Sequence, residues 1–263
     1  MAYLLREPHW KVKTLVVFAF ALLFQILTWF VLYPTAGYND LTLNIALAKT
    51  FLLGIVFLFL YRISWKKIGL GFYPFLTALV GLVLANLIIF FIIEGVNAFG
   101  GNLSLFRDTY RLDAFLSNWI LAAFGEELLF AGVLFTLVSN ILSTKNRWLA
   151  VLIVAGLFAL WHLPGYLAIG IKMESLSFSI IFDLLLRVIS WLIFGFIYLF
   201  SDNLWLVIFA HASTDYAILP AVVNQPVIGL IFMGLLLVYA WKIGRSRKKH
   251  QQSHLTTSYQ FNE

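Results

Sequence analysis

Cysteine is absent from this sequence and charged residues are scarce. The 263 residues contain no cysteine, and only 11% of them are charged. The lack of cysteine excludes disulfide bonds, a thiol nucleophile and thiolate metal sites. The hydrophobic share is 62%, whereas soluble domains have about 45–50% apolar residues. Because ten-residue runs of alternating polarity are also lacking, an outer-membrane barrel is disfavoured, and the composition predicts a helical protein of the lipid bilayer.

Repeated apolar runs of about 20 residues predict helices that cross the membrane, because such a helix spans the hydrocarbon core and satisfies its own backbone hydrogen bonds. We predict an all-α, polytopic transmembrane helical bundle with about eight spans. The first span has a longer apolar core than the 7–15 residues of a signal peptide, so we interpret it as a retained helix. The spans are expected near residues 12–33, 41–61, 73–95, 113–142, 148–169, 177–200, 203–221 and 226–243.

Lysine and arginine are distributed unevenly between the predicted loops. With a cytoplasmic N-terminus, about thirteen lie in cytoplasmic segments and three in outer loops, in agreement with the positive-inside rule. The net charge of +6 therefore reflects membrane topology, and we expect no nucleic-acid partner. An even number of spans places both termini of this multi-pass cell-membrane protein in the cytoplasm. We interpret residues 1–240 as a single transmembrane domain and residues 241–263 as a disordered, basic and polar tail attracted to anionic lipid.

Ionisable residues inside the predicted spans are concentrated in the second half of the chain. Inserting an ionised side chain at the centre of a span costs about 2.5–3.5 kcal/mol of free energy. Such residues therefore face the bundle interior and usually have a functional role. At about 1.5 Å per residue, Glu126, His162 and His211 fall in the middle third of the bilayer and can meet in one polar cavity. Asp183 and Arg187, four residues apart, are interpreted as an internal ion pair. The candidate site residues are Glu126, Glu127, His162, His211 and Asp215.

Carboxyl and imidazole groups without cysteine leave three kinds of chemistry open. A glutamate removed from bulk water can act as a general base towards a water molecule, and an imidazole can orient that water or stabilise an oxyanion. Two histidines and a glutamate can bind zinc, although the HExxH motif is absent. A proton relay in a transporter is the third option, although no inverted repeat is evident. Gly-x-Ser-x-Gly and phosphate-binding loops are also missing.

Three short motifs follow one another on consecutive predicted spans. They are EELLF at 126–130, F-x-x-x-H from Phe158 to His162, and H-x-x-x-D from His211 to Asp215. In order and separation they resemble the motifs of the CPBP family. These CAAX-prenyl-protease and bacteriocin-processing membrane proteins, also called the Abi family, are intramembrane glutamic endopeptidases. The resemblance covers about residues 110–225, together with IGLGFYP at 68–74.

The resemblance implies a role for each matched residue. Glu126 matches the catalytic glutamate that activates a water, His162 matches the histidine that helps to hold this water, and Glu127 is the supporting neighbour. His211 and Asp215 are expected to assist with the oxyanion or with orientation. An ionised Asp only accepts hydrogen bonds, so we favour Asp215 as the residue that orients His211. No metal or other cofactor is implied, and the expected partners are the bilayer and a membrane-associated peptide or protein substrate.

The chain departs from the family pattern at Ala131, where the first motif usually carries an arginine. That arginine would lie one turn after Glu127 and neutralise it, so Glu127 needs another partner. Arg187 is a candidate if Asp183 does not hold it. We predict an intramembrane endopeptidase that uses a glutamate-activated water. The alternatives are a catalytically impaired relative that serves as a bacteriocin-immunity or peptide-binding scaffold protein, and a proton-coupled transporter.

Overall fold

The structure, a computed structural model, describes residues 9–32, 40–106, 110–142, 146–168 and 178–260. Within these ranges the regular structure is helical and no strand occurs, which confirms the predicted all-α class. The described residues form nine helices. They are α1 (Trp10–Leu27, extended by a π-helical turn, Thr28–Leu32), α2 (Asp40–Leu60), α3 (Phe72–Ala98), α4 (Leu112–Ile141), α5 (Arg147–Ala168), α6 (Phe178–Ser201), α7 (Leu204–Asp215), α8 (Ala221–Asn224) and α9 (Pro226–Gln260).

The helices agree with a multi-pass membrane protein of about eight spans. Six of them are long and apolar enough to cross a bilayer, namely α1, α3, α4, α5, α6 and the first part of α9. The 21-residue α2 occupies the second predicted span. The seventh is shorter than predicted, because α7 has 12 residues and is about 18 Å long. The backbone of α9 is helical as far as Gln260, whereas the sequence predicts a disordered tail from residue 241.

Local sequence explains several helix boundaries. The side chain of Asn203 caps α7 by accepting a hydrogen bond from the Leu206 N–H at 3.3 Å, and its amide donates to the Pro74 carbonyl at 2.8 Å. Pro74 lies in the first turn of α3 and Pro226 begins α9, where a missing N–H breaks no helical bond. Gly69 has a φ of 81°, and a Cβ atom there would collide with the backbone beside Asn203. The start of α7 is thereby fixed against the start of α3.

Helix α4 is the centre of the bundle. Of its most apolar 18-residue stretch, 78% is buried, whereas the buried share of the corresponding stretch is 17–50% in the other span-length helices. It packs between α2 and α7 and also contacts α1 and α5. Two π-helical segments, Ser117–Phe124 and Leu128–Leu134, flank a short α-helical segment, Gly125–Glu127. Since π-helical turns occur frequently at functional sites, this irregularity marks the position of the two adjacent glutamates.

Helices α2 and α4 pack so closely at Gly125 that we expect a large side chain at this position to destabilise the protein. A Cβ atom there would lie 3.1 Å from the backbone nitrogen of Phe51. The variant Gly125→Leu should therefore be destabilised by about 1–3 kcal/mol through overpacking, seen as a lower Tm in detergent. The matched control is Gly156→Leu, because no described atom outside its own stretch of helix backbone lies within 4 Å of a Cβ at Gly156. An equal loss of stability in the two variants would contradict the close contact.

Candidate active site

A cavity of about 550 Å³ lies beside Glu126 inside the bundle. This volume is within the range of about 300–1,000 Å³ that is usual for ligand pockets. Helices α1, α2, α4, α5, α6 and α7 all contribute to its wall, and the indoles of Trp29 and Trp161 supply apolar surface. The ionisable groups that line it are Glu126, His162, Tyr166, Arg187 and Asp215. Three of the five candidate residues therefore face one space.

Glu127 and His211 form the buried part of the site. The side chain of Glu127 is 0% exposed, and its Oε1 lies 2.8 Å from Nδ1 of His211. The other oxygen, Oε2, finds no hydrogen-bond donor among the described residues. The ring of Phe194 stacks on the imidazole of His211 at 4.9 Å, and the ring of Phe158 meets it edge-on at 6.2 Å. Glu127 therefore holds the ring of His211 and does not reach the cavity.

The second nitrogen of His211 faces two further carboxyl groups. Its Nε2 lies 3.4 Å from Oδ2 of Asp215 and 4.0 Å from Oε2 of Glu126. The sequence assigns the orientation of His211 to Asp215, but the shorter contact comes from Glu127, on the opposite side of the ring. Within the described ranges, no group of three or more His, Asp or Glu side chains is arranged to hold a metal ion.

His162 approaches the cavity from α5. Its Nδ1 lies 2.8 Å from the carbonyl oxygen of Phe158. Because a carbonyl only accepts, Nδ1 carries the hydrogen, and a neutral ring then presents Nε2 as an acceptor. The rings of Phe158 and Trp161 pack against the imidazole at 4.6 Å and 5.0 Å. Since Phe158 also contacts His211, one aromatic side chain positions both imidazoles.

Arg187 belongs to the cavity and not to a pair with Asp183. No ion pair joins these two described side chains, so the interpretation from their i, i+4 spacing is wrong. The guanidinium lines the cavity together with Tyr166 and interacts electrostatically with Glu126 and Asp215. A positive charge is thereby present in the cavity although the family arginine is replaced by a fully buried Ala131. Glu127, which lacks that arginine, has His211 as its partner.

The cavity also contains residues that the sequence analysis did not single out. Gln25 and Trp29 come from α1, Asn118 from α4 and Tyr166 from α5. Helix α1 lies outside the region of the motifs, so the resemblance gives no information about it. Gln25 is an amide within an apolar run, and this is the one sequence signal that marks α1 as part of the site.

The fold and the cavity define a multi-pass helical membrane protein with a carboxyl and imidazole centre inside its bundle. Residues 109–217 match the model of the family described as type II CAAX prenyl endopeptidase Rce1-like. The match coincides with the region of the three motifs and contains all five candidate residues, so the resemblance to the CPBP family is confirmed over this segment. The family supports a membrane-embedded endopeptidase of the CAAX-protease type. No curated protein and no solved structure matches the chain.

We expect the contact between Glu127 and His211 to stabilise the fold. The variant Glu127→Ala leaves a buried imidazole nitrogen without its partner, which costs about 1–3 kcal/mol. Glu127→Gln retains an acceptor oxygen and should lose less. Thermal unfolding in detergent measures the order of the two variants, with Glu94→Ala as a control at an exposed position of α3. Wild-type Tm values for Glu127→Ala would show that the contact contributes nothing.

Proposed function

We propose that the chain is an intramembrane endopeptidase in which Glu126 activates a water molecule. The observation that carries this proposal is the position of the Glu126 carboxyl group. It lines a cavity of about 550 Å³ within the bundle, and its Oε2 lies 4.0 Å from an imidazole nitrogen. Because a water molecule takes up about 30 Å³, the cavity has room for water together with a polypeptide segment.

The proposed reaction begins with Glu126 as a general base. Glu126 removes a proton from the water while the water oxygen forms a bond to the carbonyl carbon of the scissile peptide. The carbonyl oxygen becomes an oxyanion, the proton passes to the leaving nitrogen, and the carbon–nitrogen bond breaks. His162 accepts a hydrogen bond from the same water through Nε2. His211, when protonated, donates from Nε2 to the oxyanion, because Glu127 already occupies Nδ1.

Burial favours Glu126 over the two neighbouring acids as the base. Glu127 is fully enclosed and bound to His211, so water cannot reach it. The side chain of Asp215 is 31% exposed, whereas that of Glu126 is 9% exposed. A base needs contact with one positioned water and little contact with bulk solvent. Glu126 faces the cavity and is at the same time sheltered from bulk solvent.

Arg187 supports the proposal because it supplies a counter-charge. The carboxyl groups of Glu126, Glu127 and Asp215 cluster around one imidazole, and an unpaired charge in the interior costs several kcal/mol. Arg187 interacts electrostatically with Glu126 and Asp215. We propose that it takes over, from α6, the neutralising role that the family motif gives to an arginine on α4.

A non-catalytic scaffold that binds a peptide is the second candidate function. Ala131 favours it, because the first motif is incomplete at this position. Such a protein needs the cavity but not the base. If a bound peptide or an immunity phenotype survives loss of the Glu126 carboxyl group, this second function replaces the first.

The proposal predicts that Glu126→Gln abolishes peptide cleavage while the protein still folds. Gln has a similar shape but cannot take a proton, and loss of a general base costs about 10²–10⁴-fold in rate. The assay screens purified protein and the variant against a peptide library, with and without a chelator, and records the Tm of each. Cleavage by the variant at the wild-type rate would exclude Glu126 as the base. Loss of activity to the chelator would point to a metalloenzyme, and pH-driven uptake into liposomes that needs Glu126 would point to a transporter.

The charge role of Arg187 has its own test. We expect Arg187→Gln to lower the cleavage rate at least about tenfold, equivalent to about 1.4 kcal/mol in the transition state. Arg187→Lys keeps the charge and should recover part of the activity. Asp183→Asn, one turn away on the same helix, is the matched control and should retain the wild-type rate. Equal rates for Arg187→Gln and Asp183→Asn would remove Arg187 from the mechanism.

A further inference from the structure

One end of the bundle carries most of the described basic side chains. The contacts identify the segments that meet there. The Tyr61 hydroxyl donates to the Lys13 carbonyl at 3.5 Å. Arg147 forms an ion pair with Asp202 at 2.9 Å, and Arg247 donates to the Ser201 carbonyl at 2.6 Å. This basic end therefore joins the starts of α1, α5 and α7 to the ends of α2, α4 and α6. Its described basic residues are Lys11, Lys13, Arg62, Lys66, Lys67, Arg147, Lys242, Arg245 and Arg247.

The opposite end carries few basic side chains. The Tyr110 hydroxyl donates to the Ile218 carbonyl at 2.5 Å, and the Arg111 N–H donates to the Tyr216 hydroxyl at 3.0 Å. These contacts join the start of α4 to the segment that follows α7. Arg111 is the one basic residue in the described loops and helix termini of this end, and it forms an ion pair with Asp113. Among the described residues, the two ends of the bundle therefore differ strongly in their number of basic side chains.

The cavity of Glu126 extends from the middle of the bundle towards the end with few basic residues. On α4 its lining begins at Ser117 and stops at Glu126, so the C-terminal half of that helix takes no part. On α7 the lining consists of the last two residues, Thr214 and Asp215, and on α5 it lies near the C-terminal end of the helix. All of these stretches lie on the side away from the basic end. The cavity beside Glu126 therefore lies on the side of the bundle where the described residues include few lysines and arginines.

We infer that the cavity opens on the exoplasmic side of the membrane, away from the cytoplasm. Membrane proteins keep the end that is rich in lysine and arginine in the cytoplasm, where it also contacts anionic lipid. The basic end defined by the structure thus faces the cytoplasm, and the mouth of the cavity faces the other compartment. This orientation is independent of whether hydrolysis occurs, since the same chemistry could operate from either face.

The orientation restricts the class of substrate, and this step rests on the proposed endopeptidase function. Polypeptides that reach Glu126 are exported peptides, or segments of membrane proteins that lie at the exoplasmic face. A lipid-modified tail of a cytoplasmic protein is on the wrong side of the bilayer. The chain therefore acts on exported or exoplasmic polypeptide.

The absence of cysteine from the chain makes a direct test possible, because each introduced cysteine is the one thiol present. Three serines serve as matched positions. Ser117 lies at the cavity wall, Ser104 is exposed in the loop before α4, and Ser64 is exposed at the basic end. Each variant, Ser117→Cys, Ser104→Cys and Ser64→Cys, is expressed in the full-length protein. Intact and permeabilised cells are then treated with a membrane-impermeant maleimide, with the cysteine-free parent as background.

The inference predicts equal labelling of Ser104→Cys and Ser117→Cys in intact and in permeabilised cells. Ser64→Cys should lose its labelling in intact cells and gain it on permeabilisation. The reverse pattern would contradict the proposed orientation. If Ser117→Cys stays unlabelled after permeabilisation while Ser104→Cys reacts, the inference that the cavity is open to this side is wrong. Repeating the labelling with Glu126→Gln separates the two proposals, because an unchanged pattern shows that the orientation does not depend on catalysis.

Discussion

The contact between Glu127 and His211 is the interaction on which the rest of the site depends. A carboxyl group and an imidazole that lie within a hydrocarbon layer each need a polar partner, and here each serves the other at 2.8 Å. The contact joins α4 to α7, the two helices that carry the acidic and the third-motif residues. It also fixes the ring of His211 so that Nε2 points towards Glu126 and Asp215. The adjacent glutamates thus have separate tasks, one structural and one directed to the cavity.

The backbone of α4 supports this division of tasks. The helix is the most buried of the span-length helices, so its residues are held by packing on nearly every side. Its π-helical segments interrupt the regular spacing before and after the two glutamates. An irregular, buried helix can present Glu126 to the cavity and enclose Glu127 within one turn.

Much of the fold and part of the site could be predicted from the sequence, because both depend on local patterns. Apolar runs mark the spans, and three motifs at similar depth indicate that Glu126, His162 and His211 are close together. Partner choice could not be predicted. The spacing of Asp183 and Arg187 indicates a pair, but the direction in which Arg187 turns depends on α5 and α4, which sequence spacing does not describe.

The shortened α7 has the same explanation. Its apolar pattern continues past Asp215, and only the tertiary contacts after that residue determine where the helix ends. The Trp119 indole donates to the Tyr216 carbonyl at 2.9 Å, and the Tyr216 hydroxyl accepts from the Arg111 N–H. Both contacts involve partners that are about a hundred residues away in sequence. Hydropathy detects the presence of the segment but not its length.

The early end of α7 has a consequence for hydration. A helix leaves the carbonyl groups of its last turn without helical partners, and within a bilayer these groups have no lipid donor. The Thr214 hydroxyl donates a hydrogen bond to the carbonyl of His211 at 2.7 Å, and the Tyr216 N–H donates to the carbonyl of Ala212 at 2.8 Å. Carbonyl groups of the last turn that have no such partner can accept hydrogen bonds from water, and Thr214 and Asp215 of this turn line the cavity. The early end of α7 thus places polar backbone groups beside the cavity, where a longer helix would satisfy the same groups internally.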